Sequence, residues 1–153
     1  MLRELHISNL AVIQDVNLEL SGGLNCFTGQ TGAGKSLILG AFEMLLGLRP
    51  AGKDMLRPGS KEARITGLFE LHDEEVVTEV ATILDQEIAV GDQLLLVRKI
   101  TPSRSSVAIN GQPVTAAMVK TVGQQLVDGG AGGGFIQADT QVIGIDHTQV
   151  DAG

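Results

Sequence analysis

The apolar positions of this chain recur with two periods, and the change between them lays out strands and helices. Residues 1–8 predict a first strand, with Leu5 and Ile7 on one face. Val16, Leu18 and Leu20 alternate with Asn17 and Glu19, a second strand with one wet face. Residues 24–28 are a short, mostly apolar run entered from the turn Ser21-Gly22-Gly23, the pattern of a buried strand. The period then becomes helical. Leu37, Ile38, Ala41, Leu45 and Leu48 fall on one side, and Gly47 and Pro50 mark the helix end.

A loop over residues 50–60 carries two Pro and two Gly, after which alternation returns at Ala63, Ile65, Gly67, Phe69 and Leu71. Val76, Val77, Val80, Ile83 and Leu84 predict a second helix, and Leu94 to Val97 begin another strand. A turn at 102–105 sends the chain back through residues 106–109, where Asn110-Gly111 predicts a primed hairpin turn. Thr115 is placed to cap a third helix carrying Met118, Val119, Val122 and Leu126. At Asp128 the patterning stops. Residues 129–134 read Gly-Gly-Ala-Gly-Gly-Gly, and 135–153 contain no Lys or Arg. Residues 1–128 are expected to form the ordered unit, and 129–153 a Gly-rich, weakly specified tail.

Between the buried strand and the first helix, Gly29, Gln30, Thr31, Gly32, Ala33, Gly34, Lys35 and Ser36 spell G-x-x-x-x-G-K-[ST]. A triphosphate needs a curved track of backbone N–H donors, a flexible cation and a hydroxyl for the metal. The three glycines let the backbone curl and approach phosphate oxygens without a Cβ in the way. Lys35 is the cation for the β- and γ-phosphates, and Ser36 is the Mg²⁺ ligand. The helix that follows adds its dipole and unpaired N–H groups. Strand, glycine loop and helix come in the order this chemistry requires, so ATP with Mg²⁺ is the expected ligand and α/β P-loop NTPase the expected fold class, with a mixed sheet around the phosphate-loop helix.

Composition narrows the partners. The chain of 153 residues is 43% hydrophobic and 19% charged, a globular balance. Four Phe and no Trp or Tyr disfavour a single-strand surface built on base stacking. A net charge of −7 gives no general attraction to nucleic acid. The charge is uneven, however. Arg49, Lys53, Arg57, Lys61 and Arg64 form a basic stretch, while residues 70–92 hold eight acids and no Lys or Arg. Solvated surface accounts for both; a local contact for DNA or nucleotide is the sharper reading of the first. Cys26 is the single cysteine, so an intrachain disulfide is excluded. No signal peptide and no apolar run of membrane-spanning length is apparent, and a cytoplasmic setting is expected. His6, His72 and His147 are too scattered for a metal motif.

Several segments in order resemble one family. They are the opening Met-Leu-Arg-Glu-Leu-His-Ile-Ser-Asn-Leu-Ala-Val-Ile, the loop Thr-Gly-Gln-Thr-Gly-Ala-Gly-Lys-Ser, Leu46-Gly47-Leu48-Arg49-Pro50, Met55-Leu56-Arg57-Pro58-Gly59, Leu96-Val97-Arg98-Lys99-Ile100 and Ile-Asn-Gly-Gln-Pro-Val. Together they resemble the RecN family of bacterial DNA repair proteins, SMC-like members of the ABC-type ATPases, over residues 1–128. The resemblance implies the N-terminal lobe of a split ATPase head, with residues 29–36 as its ATP cradle. It implies recombinational repair of DNA double-strand breaks, DNA and a C-terminal lobe or second head as partners, and association with the nucleoid. The match ends at Asp128, where the glycine run replaces a family segment bearing a glutamine for Mg²⁺. No heptad pattern, signature motif or clear Walker B strand follows, so the expectation is a truncated lobe, catalytically incomplete alone.

Two other readings stay open. Val142-Ile143-Gly144-Ile145-Asp146 has the apolar-run-then-Asp shape of a Walker B strand. With Asp146 holding Mg²⁺, the chain is a compact, independent P-loop nucleotide hydrolase or kinase. Gly144 weakens such a strand, and His147 stands where an ABC-type head has a glutamate. Without a working carboxylate, the chain is a non-catalytic nucleotide-binding module.

Overall fold

The computed structural model describes residues 2–19, 32–128 and 149–150. In chain order the elements are β1 (Leu2–Leu10), β2 (Ile13–Glu19), α1 (Gly32–Leu45), β3 (Ala63–Glu70), α2 (Glu74–Leu84), β4 (Gln93–Ile100), β5 (Ser105–Ile109), β6 (Gln112–Val114), α3 (Ala116–Asp128) and β7 (Gln149–Val150). The strands form one sheet in the order β6-β5-β4-β3-β1-β2-β7, and every pairing among the described residues is antiparallel. The strand expected at 24–28 lies outside the described residues, as do 129–148. The two residues of β7 pair with Ile13 and Asp15 on the β2 edge.

The period-two pattern explains how the sheet divides inside from outside. Leu5 and Ile7 of β1 lie opposite Leu18 and Val16 of β2, and opposite Gly67 and Ile65 of β3. Leu96 of β4 continues the first of these rows to Ile109 of β5. All of these side chains are buried. Each fully buried Leu, Ile or Val contributes roughly 1.5–3 kcal/mol relative to exposure, so this single face fixes the register. The alternate residues Glu4, Asp15, Asn17, Arg64 and Leu95 are exposed on the other face.

The helices cover the inner face: α1 lies on β3 and β4, α3 on β5, and α2 against α3. Their ends follow local rules. Asp73 caps α2, its Oδ1 accepting from the Glu75 and Val76 N–H groups at 2.8 and 3.4 Å. Thr115 Oγ1 accepts from the Met118 N–H at 3.1 Å and caps α3. Asn110 and Gly111 take φ of 52° and 82°, the left-handed pair that a primed hairpin requires. Asn110 also clips the hairpin to β4: its side-chain oxygen accepts from the Leu95 N–H, and its own N–H donates to the Leu95 carbonyl.

Candidate functional site

The structure places the end of the phosphate-loop motif at the start of α1. Gly29, Gln30 and Thr31 lie outside the described residues. Gly32, Ala33, Gly34, Lys35 and Ser36 are the first residues of the helix, and their side chains lie outside the description. The backbone alone is informative. The first N–H groups of an α-helix have no partner within it and carry about half a positive charge. No acidic residue stands in the first turn of α1 to neutralise them. The motif therefore ends on a helix N-terminus whose own first turn carries no carboxylate.

Such an N-terminus is useful only if the helix is fixed, and α1 is held along its second half. Ile38, Ala41, Phe42 and Leu45 are fully buried. The Phe42 ring meets that of Phe69 of β3 at a centroid distance of 6.1 Å and a 34° tilt. Gly67, also on β3, makes room: a Cβ there would stand 2.5 Å from Leu45 Cδ2. The helix ends in a Schellman turn. Gly47, at φ 74°, donates to the Met44 carbonyl, and Leu48 donates to that of Glu43. The same turn abuts α3, where a Cβ on Gly123 would stand 2.3 Å from the Leu46 carbonyl oxygen.

Asp146 lies outside the described residues. His6 Nε2 and Asp15 Oδ1 meet at 2.6 Å across β1 and β2, and His72 Nε2 pairs with Glu70 Oε1 at 2.6 Å; both pairs are half-exposed. They are surface pairs, and His147 lies outside the described residues. Among the described residues no group of three His, Cys, Asp or Glu is placed to hold a metal. A groove of about 740 Å³ beside α2 is lined by Glu74, Glu75 and Glu79, the wrong sign for a phosphate.

Two features escaped the sequence reading. Arg98 of β4 points inward and is only 8% exposed. Its Nη1 donates to Ser105 Oγ at 2.9 Å, while its buried Nε has no partner. Desolvation lowers its pKa from the usual guanidinium value. The i+2 spacing from Leu94 and Leu96 was the available signal. The second feature is a row of polar and basic side chains on the outer face, centred on Arg64 and Lys99.

A family model described as AAA domain matches residues 4–114. The chain belongs to this AAA domain family. Among curated relatives it is 37% identical to the DNA repair protein RecN of Vibrio cholerae over 129 residues, which is 84% of this chain and 23% of that protein. It is 36% identical to RecN of Bacillus subtilis over 130 residues, 84% of this chain and 22% of that protein. The RecN-like character read from residues 1–128 is thereby borne out. The chain spans less than a quarter of the length of these relatives.

Solved structures agree on the fold. One from work on ATP-driven dimerization and DNA-stimulated activation of SMC ATPases superposes with a TM-score of 0.62 at 21% identity, covering 81% of this chain and 78% of that one. The recombination mediator protein RecF gives a TM-score of 0.59 at 16% identity, covering 78% of this chain and 29% of that one. This AAA domain therefore has the α/β P-loop architecture of SMC-type ATPase heads. Among the described residues no helix is long and apolar enough to cross a membrane.

Proposed function

We propose that the chain is the ATP-binding lobe of a RecN-like DNA repair ATPase, able to bind nucleotide but not to complete hydrolysis alone. The carrying observation is the phosphate-loop motif running into the N-terminus of a helix that has no acid in its first turn and is packed against the sheet and α3. In this reading Gly29 to Gly34 wrap the phosphates with backbone N–H groups, and α1 directs its dipole at them. Lys35 would neutralise the β- and γ-phosphates, and Ser36 would hold Mg²⁺, which would supply further positive charge when bound. Phosphoryl transfer further needs a carboxylate and a facing signature motif. Both come from a C-terminal lobe or a second head in this reading, and residues 129–153 are a tail without a catalytic part. Curated relatives named as DNA repair proteins support a role in recombinational repair of double-strand breaks, with DNA as a partner and the nucleoid as the place of action.

The test is ATP·Mg²⁺ binding and steady-state hydrolysis by the purified chain beside Lys35→Ala and Asp146→Ala. Binding without turnover is expected. It should be weakened at least about tenfold by Lys35→Ala, the loss of one charge-assisted contact, and be unchanged by Asp146→Ala. Turnover abolished by both substitutions would instead establish the independent hydrolase. Restored hydrolysis on adding a RecN C-terminal lobe identifies the missing half.

A further inference from the structure

The outer face of the sheet carries a row that residue spacing alone did not reveal. Ser8 of β1 is in register with Arg64 of β3, Arg64 with Lys99 of β4, and Lys99 with Ser106 of β5. Two cations thus stand directly opposite each other, flanked by two hydroxyls. Like charges facing across strands destabilise a sheet. Glu62 relieves one of them, taking Arg64 Nη2 at 2.9 Å. Lys99 has no ion pair among the described residues. The same end of the sheet is closed by two loops that add Arg57 and Lys61 on one side and Arg104 on the other. Arg57 is fixed there: its backbone N–H donates to the Asn9 carbonyl and its Nη1 to that of Val12.

On the β2 side the row ends at Asp15, in register with Ser8 and paired with His6 Nε2 at 2.6 Å. The other end of the same face carries Glu4, opposite Glu19 of β2 and Leu68 of β3. In a chain of net charge −7, cations are gathered at one end of one exposed face. At about 4.8 Å per strand, Ser8 to Ser106 spans roughly 14 Å of hydroxyl-flanked surface. The lack of aromatic residues in the row excludes base stacking and suits a backbone contact.

We propose that the row Ser8–Arg64–Lys99–Ser106, with Arg57, Lys61 and Arg104 around it, is a docking surface for the phosphate backbone of duplex DNA. The proposal rests on the DNA-repair reading for the identity of the polyanion, but not on nucleotide binding at residues 29–36. The row contacts phosphates and not base edges, so it carries no sequence preference.

The test is fluorescence anisotropy with a labelled duplex and the full chain between 50 and 200 mM salt, without nucleotide. Arg64→Gln/Lys99→Gln should weaken binding on the order of tenfold at the lowest salt and reduce the salt slope by about two. Arg64→Lys/Lys99→Arg, which keeps both charges, should retain binding, and denaturation midpoints should show all variants folded. Lys120→Gln, on the exposed side of α3, should change little. An equal loss with Lys120→Gln, or an unchanged slope with the double variant, would overturn the surface while leaving the ATP reading intact. No DNA binding by the wild-type chain would overturn it as well. Lys35→Ala should bind DNA like the wild type, so the two readings fail separately.

Discussion

Gly123 of α3 lies so close to Leu46 that a Cβ would stand 2.3 Å from the Leu46 carbonyl oxygen. This contact, with that of Gly47 against Val119 and Lys120, ties the C-terminal turn of α1 to α3. It sets two effects against each other. By helix propensity, Gly123→Ala should stabilise α3 by up to about 1 kcal/mol. By packing it must displace a backbone carbonyl, and overpacking of that kind costs about 1–3 kcal/mol. A backbone atom has no rotamer to swing away, so packing wins. Gly123→Ala is expected to lower stability by about 2 kcal/mol in urea denaturation. Gly67→Ala meets the tip of Leu45 instead, a side chain that can shift, and should cost less. A neutral Gly123→Ala would mean that Gly123 and Leu46 do not approach this closely in solution.

Arg98 and Ser105 make a second decisive pair. The guanidinium is buried with one hydrogen bond among the described residues and an unsatisfied Nε. Removing its one acceptor leaves a buried charge unmet, so Ser105→Ala should cost about 1–3 kcal/mol. Replacing the charge by an apolar chain of similar length removes the desolvation burden, so Arg98→Met should be neutral or stabilising by about 1 kcal/mol. In the Arg98→Met background, Ser105→Ala should then have little effect. The double-mutant cycle measures the coupling, and additive costs would show that Ser105 acts by some other route.

The caps offer a cleaner local test. Asp73 Oδ1 satisfies two backbone N–H groups at the start of α2, and Thr115 Oγ1 one at the start of α3. Asp73→Ala and Thr115→Ala should each cost about 1 kcal/mol, and Asp73→Asn much less, since it keeps the acceptor. Thermal unfolding of the three variants checks this. Equal losses for Asp73→Asn and Asp73→Ala would assign the effect to the carboxylate's charge at the helix dipole.

Most of this fold was legible because one-sided burial leaves a period in the sequence. The alternation at Ala63 to Phe69 and the helical face at Val76 to Leu84 each appear where expected. Asn110-Gly111 and Thr115 were legible for a different reason, because their side chains supply the local chemistry of a turn and a cap. What stayed hidden depends on contacts between distant segments. The β1–β2 turn holds Asn9 and Ala11 at φ of 54° and 51°, and Ala11 is not a residue that announces a left-handed turn. It is stabilised there from residue 55, whose carbonyl accepts the Ala11 N–H at 2.7 Å. The facing of Arg64 by Lys99 likewise exists only once the register is known. The G-x-x-x-x-G-K-[ST] spacing is a property of the sequence alone, whereas the anchoring of α1 through Gly67 and Gly123 was not legible there.

That anchoring leads to the last prediction, which separates holding the helix from holding the ligand. Ligand binding to the folded state alone raises stability by RT ln(1 + [L]/Kd), about 2.7 kcal/mol at one hundred times Kd. For a unit of this size that is a rise in Tm of roughly 8 °C with saturating ATP·Mg²⁺. Lys35 stands in the opening turn of α1, away from the buried second half, so Lys35→Ala should leave the ligand-free Tm nearly unchanged and, at the same ligand concentration, remove about half of the rise or more. Gly67→Ala should do the reverse: it lowers the ligand-free Tm by loosening Leu45 against the sheet, but acts at the far end of α1 from Lys35 and should leave the rise largely intact. Differential scanning fluorimetry of the wild type and both variants, with ATP·Mg²⁺ and with AMP as control, reads the two effects independently. A rise that AMP reproduces in full would place binding away from the β- and γ-phosphates, and so away from Lys35.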